Sequence, residues 1–523
     1  MQSLSRLTLV LCCAWVLTIL YGEMIAYWVP LWTCSWPQLE GDLSSSSSID
    51  RTEVKVAIVA DPQLMDRTSL SLAPKSLALE TAKFYTDLYM RRSFRSSILP
   101  FKPNLVIFLG DHFDGGPYLA DQEWKESYNR FKHIFGLEAH GRYSDILVYY
   151  LSGNHDIGYS NFHTQHPEVI QRYEKEFGAR NYRFSAGKLD FIVVDAQTLD
   201  GPKQGKETFL SWQFIKNISQ ADTVTPRVLL THIPLYRPND SLCGPHRSSS
   251  IINQRVSYAA PDQGIKYQNY LTKDTSDSLL HFIKPTLVLS GHDHDQCTVT
   301  HSTDFGSIVE HTLGTISWQQ GNLYPSFMLL TARDSNATGS TNPVSTNLCF
   351  LPMQTHIYIW YLFQFAFTLL LFFVWPTNGF ASFGRFAGFV SSVRSKWATM
   401  KEKIDEEDCE YDTIWDSEGS MHLIRKNKPR PVTSLDVGIT GRGNAVLRSS
   451  AKKQSTHEQD ASILVLETNI DMNVDKSEKT RQSRSKITRL VLRLIRVLRM
   501  VIIIAAVNVP LYMMLLFKDW IDR

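Results

Sequence analysis

Two things are scarce in this chain. The first is charge of one sign: 54 lysines and arginines stand against 52 aspartates and glutamates in 523 residues, a net of +2. Proteins that grip nucleic acid by its phosphates usually carry a clear basic excess, so no nucleic-acid partner is expected. The second is cysteine. Seven cysteines are too few for a disulfide-built scaffold, and no C-x-x-C pair suggests a zinc ribbon. Long apolar runs, by contrast, are present, and they fall in three places.

Leu7–Trp32 is long enough to cross a hydrocarbon core of roughly 30 Å and carries one charge, Glu23. It has no A-x-A cleavage site and runs longer than a signal-peptide core, so it reads as an uncleaved anchor. Ile357–Trp375 is uncharged, with aromatics at both ends like an interfacial belt. Met500–Phe517 is a third candidate, interrupted by Asn508 and Pro510, for which a buried or re-entrant helix is the alternative. Thr377–Arg499 holds 22 lysines and arginines against 16 acidic residues, a net of +6, which assigns it to the cytosol. Arg489, Arg493, Arg496 and Arg499 recur at helical spacing, as a stripe facing anionic headgroups or as a solvated face. The region between the first two spans is then lumenal. The sequons at Asn217, Asn239 and Asn336 all lie there, as do Cys34, Cys243, Cys297 and Cys349, whose pairing has three possibilities.

The expected organisation is an anchor over 1–32, a serine-rich linker over 33–53 and a lumenal domain over 54–333. A spacer over 334–356 leads to a span at 357–375, a largely disordered basic segment at 376–499 and the candidate span at 500–517. Within the domain, short β-branched runs start at Val54, Leu105, Ile146, Phe191, Val228 and Leu287, with helix-compatible stretches such as Ser76–Ser93 and Gln122–Phe135 between them. That alternation predicts a layered α/β domain.

Five of these runs end in the same chemistry. They are followed by Asp61-Pro-Gln63, by Gly110-Asp111-His112-Phe113-Asp114-Gly115-Gly116, by Gly153-Asn154-His155-Asp156, by Thr231-His232, and by Gly291-His292-Asp293-His294. Five strands thus deliver oxygen and imidazole donors to one sheet edge, where open α/β sheets place their sites. Such donors suit Mn, Fe or Zn, and no thiolate is recruited. A lone His or Asp at a strand end is most often structural; the ordered set of five is not.

The series D-x-[HQ], GDxxDGG, GNHD, [TH]-H-x-P and GHxH resembles the calcineurin-like metallophosphoesterase superfamily over about residues 54–320. The resemblance implies a four-layer α/β/β/α sandwich around two divalent cations. Asp61 and His294 would bind the first, Asn154, His232 and His292 the second, and Asp111 would bridge them. His155 matches the family's catalytic histidine, with Asp114 and Asp156 as orienting neighbours. Gln63 stands where most members have His; its amide oxygen is a weaker donor and favours Mn2+. Arg237 is a candidate phosphate clamp, with a structural ion pair as the alternative. DPQL, GDHFDGG, GNHDIGY, HIPLYRP and GHDHDQC further resemble the GPI-anchor ethanolamine-phosphate phosphoesterases. This implies a membrane-bound enzyme of the endoplasmic reticulum or Golgi whose substrates are GPI lipid or GPI-anchored proteins. The alternatives are a lumenal phosphatase or phosphodiesterase with another substrate, and a non-catalytic trafficking or manganese-homeostasis protein. Ser241–Lys266 is long enough for a substrate-recognition loop.

Overall fold

This computed structural model describes residues 2–38, 53–136, 145–187, 189–221, 225–249, 252, 255–258, 265–321, 323–332, 343–375, 411–415, 421–425 and 486–521. They fall into two units. One comprises Gln2–Phe373 with Arg496–Arg523; the other comprises Met1 and Val374–Ile495.

In the first unit the chain begins with helix α1 (Gln2–Glu23) and a short helix α2 (Val29–Thr33). The domain follows as β1 (Val54–Val59), α3 (Leu77–Arg92), β2 (Leu105–Phe108), α4 (Asp121–Phe135), β3 (Leu147–Tyr150), α5 (Asn154–Ile157), α6 (Ser160–Gln165) and α7 (Pro167–Phe177). Next come β4 (Tyr182–Ala186), β5 (Leu189–Val194), α8 (Lys206–Gln220), β6 (Arg227–Thr231), β7 (Val256–Tyr258), β8 (Ile265–Gln268), α9 (Lys273–Ile283) and β9 (Leu287–Ser290). The unit closes with β10 (Cys297–Thr303), β11 (Gly306–Thr312), β12 (Ser326–Ala332), β13 (Val344–Phe350), α10 (Gln354–Val374) and α11 (Lys486–Trp520), the last two extending into the second unit. The second unit also contains a hairpin of β14 (Tyr411–Trp415) and β15 (Met421–Arg425). Within the segment 376–499, the apolar run Ser462–Thr468 is the stretch whose sequence most favours order, and it lies outside the described residues.

Two sheets organise the domain, in the orders β13-β12-β1-β2-β3 and β10-β11-β9-β6-β5-β4. The continuous apolar run of β1 explains its central place. Val56 and Ile58 join Phe191, Val228 and Leu289 in the core between the sheets. Ala57 and Val59 point the other way, into a core shared with Tyr89 of α3, Phe94 just after it and Phe131 of α4. A strand covered on both faces has no position left for a polar side chain. On the far side, Ile192 and Leu229 pack with Ile215 of α8 and Leu279 of α9. The result is helix, sheet, sheet, helix. Truncating a buried leucine such as Leu289 to alanine in such a core costs about 2–5 kcal/mol.

One expectation changes. The segment read as a spacer over 334–356 contains β13, paired antiparallel with β12 from Val344↔Ala332 to Phe350↔Ser326. Its Ser, Thr and Asn residues look like a linker in sequence because an edge strand leaves part of its surface to solvent. The even cysteines are paired as Cys34–Cys349 and Cys243–Cys297.

Three helices are long and apolar enough to cross a membrane: Leu4–Tyr27, Gln354–Val374 and Leu490–Trp520. They associate through Leu11, Phe372 and Ile504. Asn508 is no interruption. Its Nδ2 donates to the Ile504 carbonyl one turn earlier in the same helix at 2.9 Å and lies 3.6 Å from Cys12 Sγ of α1. The helices meet the domain through a buried ionic cluster. Arg92 at the end of α3 pairs with Glu23 at the end of α1, and its Nε donates to Asp519 of α11 at 2.8 Å.

Candidate metal centre

Each donor stands where a parallel strand gives way to a loop. Asp61 follows β1, Asp111 follows β2, Asn154 and His155 follow β3, His232 follows β6, and His292 and His294 follow β9. The expectation of a single sheet edge is corrected here: β1, β2 and β3 belong to one sheet, β6 and β9 to the other, and the site lies where the facing edges meet. The sequence pattern identifies strand ends but not how strands are shared between two stacked sheets.

The turns are tight. Asp61, Gln63, Asp111, His292 and His294 all have positive φ, between 39° and 68°, making five of the nine described non-glycine residues that do. Strain of this kind costs about 1–3 kcal/mol per residue and persists only where the surroundings over-determine it. Gly110 has φ +96°, and a Cβ at Gly153 would collide with the Asp111 backbone and carboxylate. A side chain at either place would push the two loops apart.

Two groups of donors result, each with ligand atoms mutually within 4.8 Å: Asp61, Asp111 and His294, and Asp111, His232 and His292. Asp111 belongs to both. Asn154 Oδ1 lies 3.2 Å from His232 Nε2 and joins the second group. The amide end of Gln63 sits 3.0 Å from Asp111 Oδ2 and 2.9 Å from His294 Nε2, so a half-turn of the amide would direct its oxygen into the first group. The donor set fits two divalent cations: buried carboxylates, imidazoles and amides, with no thiolate.

The imidazoles are held from behind. His232 Nδ1 donates to the Leu109 carbonyl at 2.7 Å, leaving Nε2 to face Asp111 at 3.2 Å. His292 Nε2 donates to the Gln268 carbonyl at 2.8 Å, leaving Nδ1 inward. Such backing fixes the tautomer a ligand needs. The Asp61 carboxylate accepts from the His292 backbone N–H at 3.0 Å, and Thr315 Oγ1 donates to the Asp61 carbonyl at 2.6 Å. Neither Gln268 nor Thr315 was foreseeable, because backbone carbonyls and distant hydroxyls leave no spacing signal.

Packing acidic groups this deeply perturbs them. Burial, with Asp111 beside it, pushes the Asp61 carboxyl up to about 8 even though His232 opposes the rise. Burial would raise Asp111 too, but the imidazoles of His232 and His155 outweigh it and hold Asp111 below the usual carboxylate range. Burial pulls His292 down to about 3 and His294 to about 4. His292 and His294 are thus held neutral, as metal ligation requires; burial would lower His232 as well, but Asp111 and Asp61 outweigh it and raise it to about 9.

His155 stands apart from the ligands. Its backbone N–H donates to Asp111 Oδ1 at 2.8 Å, its Nδ1 bonds the Asp114 carbonyl, and its side chain is 38% exposed. Burial lowers its pKa, but Asp111 and the Asp114 carbonyl outweigh this and raise it above the ordinary histidine value. Asp114 thus sits beside His155. Asp156 does not: it accepts from His112 Nδ1 at 2.8 Å, the His112 backbone at 2.8 Å and the Gly153 backbone at 2.9 Å, tying together the loops after β2 and β3. Arg237, the candidate phosphate clamp, is fully buried. It bonds Thr312, lies 3.4 Å from Glu310 and stacks over Tyr270, so its charge is committed inside the domain. Asn217 and Asn239 are exposed, and Asn336 lies outside the described residues.

Comparison with known proteins agrees with this geometry. Residues 54–296 match the family described as Calcineurin-like phosphoesterase. The chain is 30% identical over 370 residues to Cell division control protein 1 of Saccharomyces cerevisiae, covering 68% of this chain and 72% of that one. It is 28% identical to Metallophosphoesterase 1 of Rattus norvegicus, over 70% and 88% of the two chains, and 29% identical to that of Xenopus laevis, over 66% and 84%. With these matches and a donor set suited to a dimetal centre, the chain belongs to the calcineurin-like phosphoesterase family and is a metal-dependent phosphoesterase.

Proposed function

We propose that the protein hydrolyses a phosphodiester on a membrane-linked substrate, removing ethanolamine phosphate from a mannose of GPI anchors in the endoplasmic reticulum or Golgi. The observation that carries this reading is a pair of donor groups sharing Asp111, built on a domain ionically fastened to two of the three apolar helices. Substrate and enzyme held in one bilayer meet at raised effective concentration. Two disulfides and the exposed sequons Asn217 and Asn239 favour a lumenal domain.

Asp61, His294 and Gln63 would hold one divalent cation, Asn154, His232 and His292 the other, and Asp111 both, with Mn2+ favoured by the amide ligands. Bound there, two cations acidify a water and neutralise charge on the phosphoryl oxygens. The chain supplies the rest. His155, fixed through Nδ1 by the Asp114 carbonyl, presents Nε2 and holds a proton there for the departing alkoxide.

Mass spectrometry of GPI glycans from cells lacking the protein tests the reading. An extra ethanolamine phosphate should accumulate and be removed by the wild type but not by Asp111→Asn. Unchanged glycans would leave a phosphoesterase with another substrate; rescue by both would indicate a non-catalytic role.

A further inference from the structure

A cavity of about 760 Å3 lies where the helices meet the domain. Its domain-side wall includes Met65 and Gln319. Gln319 ties this wall to the metal centre: its Nε2 donates to the Gln63 carbonyl at 3.0 Å, while its Oε1 accepts from Thr86 at 3.2 Å. The opposite wall is Tyr358 and Tyr361 of α10 with Tyr512 of α11, at the ends of these helices nearest the domain. Between them, α3 contributes the small residues Ala78 and Ala82, which leave the space open.

The lining has two characters. Rings dominate, with Trp318 edge-on to Tyr358 at 5.7 Å. Hydroxyls line it from both sides: Tyr361 donates to Glu23 at 2.9 Å, and Tyr512 of α11 donates to Tyr85 of α3 at 3.2 Å. The loop from β1 to α3 passes beside this space and leaves Leu70, itself part of the lining, 41% exposed, with Leu72 at 39% and Leu77 at 85%. Three leucines in water beside membrane-crossing helices have an apolar environment to enter if that loop rests on the bilayer.

We propose that this cavity receives the headgroup-proximal hydrocarbon of a membrane lipid that carries the scissile phosphodiester, with the Leu70–Leu77 loop as its sill on the bilayer. The proposal rests on the reading of the substrate as lipid-linked. It gives the membrane helices a part in substrate selection: their inner ends form half of the pocket that presents the substrate toward Gln63 and the metal centre.

The test uses full-length, Mn2+-loaded protein in phosphatidylcholine nanodiscs, with Ala82→Phe to fill the cavity and Ala78→Trp to obstruct its exposed rim. Hydrolysis of a GPI carrying ethanolamine phosphate is compared with that of soluble bis(4-nitrophenyl) phosphate. In each variant, kcat/KM for the lipid should fall by about tenfold or more, mainly through KM, and far more than for the soluble ester. Parallel loss on both substrates, or no loss on either, overturns the proposal. A photoactivatable-chain phosphatidylinositol in the same discs gives a readout independent of turnover. Labelling of α3 and α10 that Ala82→Phe removes supports the cavity even if the GPI is not hydrolysed, in which case the substrate reading alone fails. Absence of labelling in the wild type overturns the cavity.

Discussion

Two buried ionic clusters sit in one domain, and they are built on opposite plans. At the membrane junction, Arg92 faces Glu23 and Asp519, and the Arg92 guanidinium also reaches the Leu515 carbonyl at 3.1 Å. Burial would lower the Arg92 pKa, but its acidic partners outweigh this and hold the charge on. At the metal centre, Asp61 and Asp111 have only histidines as ionic partners among the described residues; burial pulls His292 and His294 toward neutrality, while Asp111 and Asp61 raise His232 against it. One cluster is matched within the chain and fixes where helices lie. The other gathers donors whose complement is a cation. A buried charge network therefore reads as structural or chemical according to whether the chain itself supplies both signs.

Substitutions can press on that contrast. Asp111→Asn should have the largest effect, removing phosphodiesterase activity because both donor groups lose a shared ligand; initial rates with and without added Mn2+ check this. His155→Gln should lower kcat by about 10²–10⁴-fold while leaving cation binding intact, separable by rate measurement and titration calorimetry. Arg92→Ala should destabilise by about 3–5 kcal/mol, because two carboxylates at the junction lose their partner, with little change in cation affinity. Denaturant titration of the detergent-solubilised protein reads it. Chelation should lower stability by about 2.7 kcal/mol relative to protein in a hundredfold excess of cation over Kd, and Asp111→Asn should lose that difference.

The smallest expected effect is a pH dependence. Burial holds His163 below the ordinary histidine pKa, and its Nε2 bonds the Gly158 carbonyl at 3.1 Å. The unfolded chain then binds the proton more readily than the folded one. Stability should be complete above pH 6.5 and decline as pH falls below it toward the depressed value, by at most about 1.4 kcal/mol per pH unit. His163→Gln should flatten that slope in thermal melts.

How far the sequence carried this description differs between the clusters. The β1, β2, β6 and β9 runs and the donors after them were legible because a buried parallel strand is apolar throughout and stops abruptly at its loop. The sharing of strands between two sheets was not, since nothing in β6 says that it pairs with β5 and β9 rather than β3. β10, β11 and β13 were missed because strands with solvent-facing positions mix polar residues into the run. Arg237 stayed open between a phosphate clamp and a structural ion pair, because HIPLYRP shows a charge near the site but not that Glu310, 73 residues away, lies against it. The junction was invisible for the same reason: Glu23, Arg92 and Asp519 are brought together only by the packed fold.

The Cys34–Cys349 bond joins the residue just after α2 to the strand just before α10, across 315 residues. Everything between is therefore a covalent ring hanging from two adjacent membrane helices. One proteolytic cut anywhere in that ring would not release the catalytic domain: both fragments would stay with the membrane and migrate as one species until reduced.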